Sequence, residues 1–142
     1  MYRQDFPRRL RLLTAGDYRN VFETAVFKVH SKGLLALAVP GEHEHPRLGL
    51  VVSKRNLRRA VDRNSLKRQV RESFRLRQQQ LPRVDIVILA RRGVGELDNT
   101  TLQRQLHGMW KRLAREADKR SNDARRTGSE DAKASGTIGL DE

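Results

Sequence analysis

Residues 47–90 read RLGLVVSKRNLRRAVDRNSLKRQVRESFRLRQQQLPRVDIVILA, and this stretch decides the fold of the 142-residue chain. Its first segment, Arg47 to Ser53, has the composition of a β-strand. Residues Ala60 to about Leu81 carry apolar side chains at helical spacing, which predicts a long helix that ends before Pro82. Leu66, Val70, Ser73, Phe74 and Arg77 cluster on one side of this helix. The nearly all-apolar run from Val84 to Ala90 indicates a strand buried on both faces.

Upstream of this stretch the sequence predicts one helix and two strands. Thr14 is a suitable N-cap for a helix over Ala15 to Thr24, whose apolar residues recur at helical spacing. The segments FKVHS and LLALAVP flank Lys32 and Gly33, and the glycine can adopt the positive φ of a tight hairpin turn. The polar loop GEHEHP then leads to the strand at Arg47, and three consecutive strands suggest an antiparallel meander.

Downstream, Asp98 and Asn99 form a cap signal for a last helix. Its apolar stripe comprises Leu102, Leu106, Met109, Trp110 and Leu113. From about Arg120 the sequence has no periodicity, so we expect a domain over residues 1–119 and a disordered polar tail over residues 120–142. The order α-β-β-β-α-β-α predicts an α+β fold, a single-domain α-β sandwich with helices packed on a four-stranded, mainly antiparallel sheet.

The charge of the chain points to a polyanionic partner. Lys and Arg number 30 against 17 Asp and Glu, and the self-repulsion of a formal net charge of +13 favours nucleic acid. No apolar run approaches the roughly 20 residues of a membrane-spanning helix, and the N-terminus lacks a signal peptide's apolar segment. We therefore expect a cytoplasmic protein with no membrane partner. The absence of cysteine excludes disulfides and thiol nucleophiles.

Basic residues are concentrated between Lys54 and Arg77. The ten are Lys54, Arg55, Arg58, Arg59, Arg63, Lys67, Arg68, Arg71, Arg75 and Arg77. On a helical wheel, one arc of roughly 140° holds Arg63, Lys67, Arg71, Asn64, Arg75 and Arg68. If the apolar stripe docks on the sheet, this arc faces outward as a row of groups that suit a phosphate backbone. A solvated basic face is the alternative interpretation, and Asn64 also suits a helix cap.

The stretch LGLVVSKRNLRRAVDRNSLKRQVRESFR, residues 48–75, closely resembles the signature of the ribonuclease P protein component family. The family pattern runs through SKK or SKR, AV, RNR, KR and RE. By position, its RNA-binding motif falls on Arg63, Asn64, Lys67, Arg68 and Arg71. We extend this surface to Arg59 and Arg75. Ser65 departs from the pattern, since it stands where the family's Arg-Asn-Arg core has its second arginine, but its wheel position lies outside the arc.

The resemblance spans roughly residues 6 to 116 and implies a fold and a function. The implied fold is like the second domain of a ribosomal S5-type protein, with a left-handed β-α-β crossover that general rules would not predict. The implied function is that of the protein subunit of ribonuclease P. Such a subunit binds the catalytic RNA and the 5′ leader of precursor tRNA and promotes endonucleolytic removal of the leader. Hydrolysis is then carried out by the RNA subunit and the Mg²⁺ ions that it holds.

A leader-binding cleft along the sheet maps onto this sequence less directly. The implied residues are Tyr18, Phe22, Lys54, Arg55, Arg91 and Arg92. Unpaired bases can stack on aromatic rings while cations hold the backbone of the strand. Core packing is the alternative for Phe22 and for Tyr18, and Gly49 in its strand fits either a close approach of a ligand or a bulge.

Two other functions compete with this interpretation. A structural RNA-binding protein of ribosomal type would share the charge, size and fold, and the spacing of the SKR, AV, RN, KR and RE groups separates the two. An autonomous metal-dependent nuclease needs converging carboxylates. The only mixed cluster of histidine and acid is the GEHEHP loop, with His43 and His45, which is more typical of a hydrated surface loop. We therefore predict no catalytic residue and no metal ligand in the protein, and the sequence does not indicate whether the chain self-associates.

Overall fold

The structure, a computed structural model, describes residues 10–12, 14–41, 43 and 45–134, and for residues 121–134 it describes the backbone alone. Its elements are α1 (Ala15–Thr24), β1 (Phe27–Ser31), β2 (Leu34–Pro40), β3 (Arg47–Val51), α2 (Ala60–Arg77), β4 (Val84–Ala90) and α3 (Asn99–Ala134). Short 3₁₀ turns cover Gln78–Gln80 and Val94–Glu96. The predicted order of helices and strands is confirmed, although β3 ends at Val51 and α2 at Arg77, both earlier than expected.

The strands form one sheet in the order β1-β2-β4-β3. β1 pairs with β2 and β2 pairs with β4 in antiparallel orientation, whereas β3 pairs with β4 in parallel. The sheet is mainly antiparallel, as predicted, but the predicted meander is wrong because β4 lies between β2 and β3. β4 takes an interior position because its apolar side chains are buried on both faces. The left hand of the β3-α2-β4 crossover stays a prediction.

The β1–β2 hairpin requires the glycine that the sequence placed there. Gly33 has a φ of +79°, in the left-handed region that residues with a Cβ rarely adopt. A Cβ on Gly33 would also lie 2.7 Å from the Cα of Val94. The hairpin turn therefore packs against the segment that leads into α3.

Helices α2 and α3 cover one face of the sheet. Their buried side chains include Leu66, Val70, Phe74, Leu102, Leu106, Met109, Trp110 and Leu113, so both predicted apolar stripes are confirmed. Trp110 Nε1 donates a hydrogen bond to Ser73 Oγ at 2.8 Å, and the rings of Phe74 and Trp110 meet edge to face with centroids 5.6 Å apart. These contacts fix the rotation of α2 and decide which side of it faces solvent.

Helix α1 crosses the opposite face of the sheet. It begins with a capping box, in which the Thr14 hydroxyl accepts a hydrogen bond from the Asp17 N–H and the Asp17 carboxylate accepts one from the Thr14 N–H. Val21 is fully buried in a second, smaller core. Arg47 of β3 makes two hydrogen bonds to Asp85 of β4, at 3.0 and 2.8 Å, and lies 3.5 Å from Asp17. This buried ion pair ties the start of α1 to β3 and β4.

Helix α3 continues further than the sequence predicted. Residues 121–134 have a helical backbone, whereas we expected disorder from residue 120. Low apolar content excludes a stripe that packs on a core, but alanine, arginine, glutamate and lysine are good helix formers. Residues 135–142 lie outside the described residues, and the domain boundary at residue 119 stays a prediction. In the described part of the chain, no helix is long and apolar enough to cross a membrane.

Candidate nucleic-acid interface

The predicted row of basic side chains lies on the side of α2 that points away from α3. We call Arg63, Asn64, Lys67, Arg68, Arg71 and Arg75 the α2 basic arc. The opposite side of the helix faces α3, since Gln69 donates a hydrogen bond to Asn99 at 3.2 Å and Ser73 meets Trp110. Asn64 and Arg68 are exposed, and the other members of the arc are partly exposed. The arc therefore borders the β3 edge of the sheet and is accessible to a partner.

Several arginines in and beside this arc already have partners within the protein. Arg59 is bonded to Asp62 at 2.9 Å, and these bonds raise the pKa of the arginine and lower that of the carboxyl. Arg75 is paired in the same way with Glu72. Arg63 Nη1 donates to two backbone carbonyls in the loop before α2, at 2.9 and 2.8 Å. The Arg63 guanidinium thus supports the start of the helix as well as facing outward.

Arg71 connects the α2 basic arc to the other side of the sheet. Its pKa is lowered, first by partial burial and then by the positive charge of Arg11, while Tyr18 acts in the opposite direction. Leu12 N donates a hydrogen bond to Leu48 O at 3.0 Å, and Arg11 forms a parallel bridge with Leu48. The segment that holds Arg11 and Leu12 therefore lies along the β3 edge of the sheet, beside α1. Arg71 therefore lies close enough to Arg11 and Tyr18 for their charges to act on it, near the β3 edge where the two predicted RNA surfaces approach each other.

Ser65, the departure from the family pattern, lies away from the arc. It lines a pocket of about 290 Å³ between α2 and the segment that leads into α3. Its hydroxyl accepts a hydrogen bond from Gln69 at 3.3 Å. The structure therefore agrees with the wheel position derived from the sequence, and the absence of an arginine at residue 65 does not interrupt the arc.

The four basic residues predicted at the strand ends lie in two neighbouring loops. Lys54 and Arg55 follow β3, and Arg91 and Arg92 follow β4. Because β3 and β4 are parallel neighbours, their carboxyl ends lie at the same end of the sheet. Asn56 Nδ2 donates to Ala90 O at 2.8 Å and joins the two loops directly. All four basic side chains are exposed, so they form one cationic rim.

Beside this rim, the α1 face of the sheet is only partly covered. Leu35, Leu89 and Val51 stand side by side in the β2-β4-β3 register, and all three are partly exposed. Tyr18 borders them: its ring covers Gly49, where a Cβ would lie 2.7 Å from Cζ, and its hydroxyl accepts a hydrogen bond from Leu50 N at 3.3 Å. We call this area the open sheet face. The glycine in β3 is thus explained by the approach of the Tyr18 ring.

Phe22 faces the open sheet face and is not a core residue. Its side chain is 44% exposed, which excludes the core-packing alternative. Asp17 points to the other side, toward Arg47. Phe22 lies roughly 140° around α1 from Asp17 and roughly 40° from Tyr18, so we infer that it borders the open sheet face beside Tyr18. Tyr18 is the more buried of the two aromatics, so Phe22 offers more ring surface to a base.

Sequence reasoning missed two polar residues at the far edge of this face. Lys28 and His30 on β1 are exposed and stand in register with Leu37 and Leu35 of β2. Alternation of buried and exposed positions in FKVHS was the available signal, because it places both side chains on the face opposite Phe27 and Val29. They extend the polar border of the open sheet face to the β1 edge.

The loop with alternating histidine and glutamate does not gather a metal site among its described residues. The rings of His43 and His45 lie 6.1 Å apart, and Glu42 and Glu44 are outside the described residues. In the described residues, no three histidine or acidic side chains are close enough to hold an ion together. The part of the chain that the structure describes thus presents cationic and aromatic groups rather than a carboxylate cluster.

The domain is small and basic, and it places a cationic helix beside a partly open sheet face bordered by aromatic side chains. These features define the class of RNA-binding proteins. The family model for Ribonuclease P matches residues 6–114. The ribonuclease P protein component of Chromohalobacter salexigens is 66% identical over 118 residues, which is 83% of this chain and 92% of that protein. The corresponding protein of Pseudomonas putida is 50% identical over 115 residues, 81% of this chain and 86% of that protein.

Solved structures agree with these sequence relatives. The RNase P protein of Staphylococcus aureus superimposes with a TM-score of 0.67 at 26% identity, covering 72% of this chain and 93% of that chain. The RNase P protein of Thermotoga maritima gives a TM-score of 0.65 at 30% identity, covering 72% and 96%. The chain therefore belongs to the Ribonuclease P protein family. This confirms the α+β fold class and the predicted role as the protein component of a bacterial endoribonuclease that processes tRNA.

Proposed function

We propose that this protein binds the catalytic RNA of ribonuclease P through the α2 basic arc and the 5′ leader of precursor tRNA through the open sheet face. The observation that carries the proposal is the arrangement of the two surfaces. The arc lies on a helix that covers one face of the sheet, the open sheet face lies on the other side, and Arg71 of the arc is close enough to Tyr18 for an electrostatic interaction. A protein bound to the catalytic RNA at its β3 edge can therefore bind a second, single-stranded RNA on the open sheet face.

The arc suits a folded RNA because its groups are donors held at fixed spacing. Arg68 is exposed, and guanidinium groups can bind phosphate oxygens with two hydrogen bonds. Neutralising each phosphate also releases a condensed counterion, so binding through this surface depends on salt. Asn64 is exposed in the same arc and adds an acceptor, which lets it contact sugar hydroxyls or base edges.

The open sheet face suits an unpaired strand. Phe22 offers an exposed ring, and the half-buried row of Leu35, Leu89 and Val51 offers an apolar floor for bases. The cationic rim of Lys54, Arg55, Arg91 and Arg92 lies at one end of that floor. Stacking on an aromatic ring tolerates any base, while the rim attracts the backbone. This combination fits a leader whose sequence differs from one tRNA precursor to the next.

The protein's contribution to the reaction is binding and charge screening. We propose that the Mg²⁺ ions that the cleavage uses are held mainly by the catalytic RNA, as the family resemblance implies. Cationic side chains beside the bound leader lower the repulsion between two RNA backbones, which favours the close approach of substrate and catalyst. We place this activity in the cytoplasm, with the precursor tRNA.

The two surfaces predict two separable defects. Arg68→Ala should weaken binding to the catalytic RNA and lower the slope of log K against log salt by about 1, whatever the leader length. Phe22→Ala should leave that binding unchanged and weaken the affinity of the assembled enzyme for long-leader substrates by roughly 1 to 3 kcal/mol. Leaderless tRNA should bind the Phe22→Ala enzyme with normal affinity.

Matched controls keep the comparison clear. Arg19→Ala removes an exposed charge from the outer side of α1, and Leu76→Ala removes an apolar side chain that is 64% exposed on α2. Circular dichroism and thermal melting are measured first, and only variants that are folded are compared. If Phe22→Ala binds long-leader and leaderless substrates with the wild-type ratio of affinities, the open sheet face does not hold the leader. If Arg68→Ala behaves like Arg19→Ala, the arc does not hold the catalytic RNA.

A further inference from the structure

The outer face of α3 carries a second group of basic side chains that the two surfaces above do not use. Its members are Arg104, Lys111, Arg112, Arg115 and Lys119, and all five are exposed. On the helix they fall within an arc of roughly 100°, centred on the side opposite the buried Leu106. They extend over roughly 22 Å of the helix axis. We call this set the α3 basic face.

The charges on this face are little compensated within the described part of the chain, where Arg104 is the one member that acts on a carboxyl, helping to lower the pKa of Asp98. Among the described side chains, none of the five takes part in an ion pair, in contrast to Arg59 and Arg75 beside α2. Glu116 and Asp118 lie at the two borders of the arc rather than within it. The positive field is also visible at His107, whose pKa is lowered by burial and then by Arg77 and Lys111. A solvated helix face more often alternates acids with bases.

A glycine at the centre of the α3 basic face is a second, independent observation. Gly108 lies in the interior of the helix, is exposed, and projects between Arg115 and Lys119 on the wheel. A Cβ at this position would meet no atom of the protein within 4 Å. Glycine weakens a helix interior relative to alanine, and no internal packing requires it here. A missing side chain at this point lets an external backbone approach the helix closely.

We propose that the α3 basic face is a second binding surface for the phosphate backbone of the catalytic RNA. The inference rests on the proposed function and extends it. Charge complementarity selects a polyanion, and the position of the face selects which one. α3 lies in the same layer as α2, whereas the open sheet face lies on the other side of the sheet. A leader held on that side cannot reach α3, but an RNA bound at α2 lies beside this layer.

The α3 basic face and the α2 basic arc are separate contacts. The arc points away from α3, and the ridge between the two carries Gln69, Glu72, Leu76 and Gln103, with Arg77 as a single basic side chain near His107. One RNA helix therefore does not cover both surfaces at once. The protein would bind two segments of the catalytic RNA, one on each side of this ridge. Binding both segments at once would stabilise the folded RNA in which they lie close together.

The test uses the full-length protein and a matched pair of double variants. Lys111→Gln with Arg115→Gln removes two charges from the α3 basic face. Arg83→Gln with Arg120→Gln removes two exposed charges beside an apolar pocket at the end of the sheet, and Arg120 lies about 100° around α3 from Lys119, outside the arc of the α3 basic face. Binding to the catalytic RNA is measured over a range of salt concentrations. Loss of two phosphate contacts lowers the salt slope by about 1.4 to 1.8 and the affinity at 0.1 M salt by about 25- to 60-fold.

Further measurements distinguish the catalytic RNA from precursor tRNA and from an anionic membrane as the partner of the α3 basic face. Equal behaviour of the two double variants overturns the proposal. So does a loss confined to the affinity of the assembled enzyme for precursor tRNA, or a loss seen only with vesicles of equal parts phosphatidylglycerol and phosphatidylcholine. Arg68→Ala is measured in parallel: if it weakens RNA binding and the α3 double variant does not, this inference fails alone. If Arg68→Ala is also without effect, the proposed function fails as well.

Gly108→Gln provides a readout in which stability and binding move in opposite directions. Glutamine favours the helix over glycine, so the melting temperature should rise by about 4 °C. The longer side chain occupies the space that the RNA backbone is inferred to approach, so affinity for the catalytic RNA should fall several-fold although no charge is lost. A variant with raised melting temperature and unchanged affinity overturns the close approach that the proposal requires.

Discussion

The contact between Gly49 and Tyr18 makes a quantitative prediction for the substitution Gly49→Ala. A Cβ at Gly49 would lie 2.7 Å from Tyr18 Cζ, 2.8 Å from Cε2 and 2.9 Å from the hydroxyl oxygen. Carbon atoms in contact normally stay about 3.5 to 4.0 Å apart, so the ring must move by roughly 1 Å. That movement also breaks the hydrogen bond from Leu50 N to the Tyr18 hydroxyl.

The expected cost follows from three terms. Overpacking of this kind destabilises by about 1 to 3 kcal/mol, and the lost hydrogen bond adds about 0.5 to 1.5 kcal/mol. Replacing glycine in a strand returns about 0.5 to 1 kcal/mol because the unfolded chain loses freedom. We therefore expect the free energy of unfolding to fall by about 2 kcal/mol in Gly49→Ala, a drop in melting temperature of roughly 10 °C.

A double-mutant cycle identifies the ring as the cause. In a Tyr18→Ala background the added methyl group meets open space, so Gly49→Ala should be neutral or slightly stabilising, and the coupling between the two sites should be about 2 kcal/mol. Urea denaturation of the four proteins measures it. Equal costs of Gly49→Ala in both backgrounds would show that the strand itself needs the glycine, and the assignment of the Tyr18 ring to this position would be wrong.

Two further substitutions and one truncation test the folded domain that positions these surfaces. Asp85→Asn removes the two charged hydrogen bonds of the buried Arg47 and leaves the more distant Asp17 as its carboxylate partner, so the free energy of unfolding should fall by about 3 kcal/mol in urea denaturation. Trp110→Phe removes the hydrogen bond to the buried Ser73 hydroxyl and should cost about 1 to 3 kcal/mol with unchanged RNA affinity. Truncation after Arg120 should leave the unfolding midpoint and RNA-stimulating activity nearly intact, because every described core residue precedes it.

Each of these three has a result that contradicts it. Asp62→Asn, in the exposed pair with Arg59, is the control for Asp85→Asn. Equal losses of unfolding free energy in the two variants would mean that burial does not strengthen the Arg47–Asp85 pair. A neutral Trp110→Phe would show that Ser73 finds another partner. A large loss of thermal stability or of activity on truncation would show that residues 121–142 contribute to the folded domain.

The separate elements of this fold are largely determined by local sequence. Thr14 with Asp17, the glycine of the hairpin turn and the apolar stripes of α2 and α3 act through neighbours within a few residues or turns, so periodicity and capping reveal them. The charged arc on α2 follows from the same helical spacing. The family signature in residues 48–75 is also a local pattern, and it identified the role of the protein in ribonuclease P.

Only the tertiary structure decided how these elements combine. The position of β4 between β2 and β3 depends on pairing between segments far apart in the chain, and several strand orders would satisfy the same alternation. The exposure of Phe22 and the occupation of Arg63 by backbone carbonyls depend on distant partners. Whether a side chain is free to bind RNA is set by what packs beside it, and packing neighbours come from anywhere in the sequence.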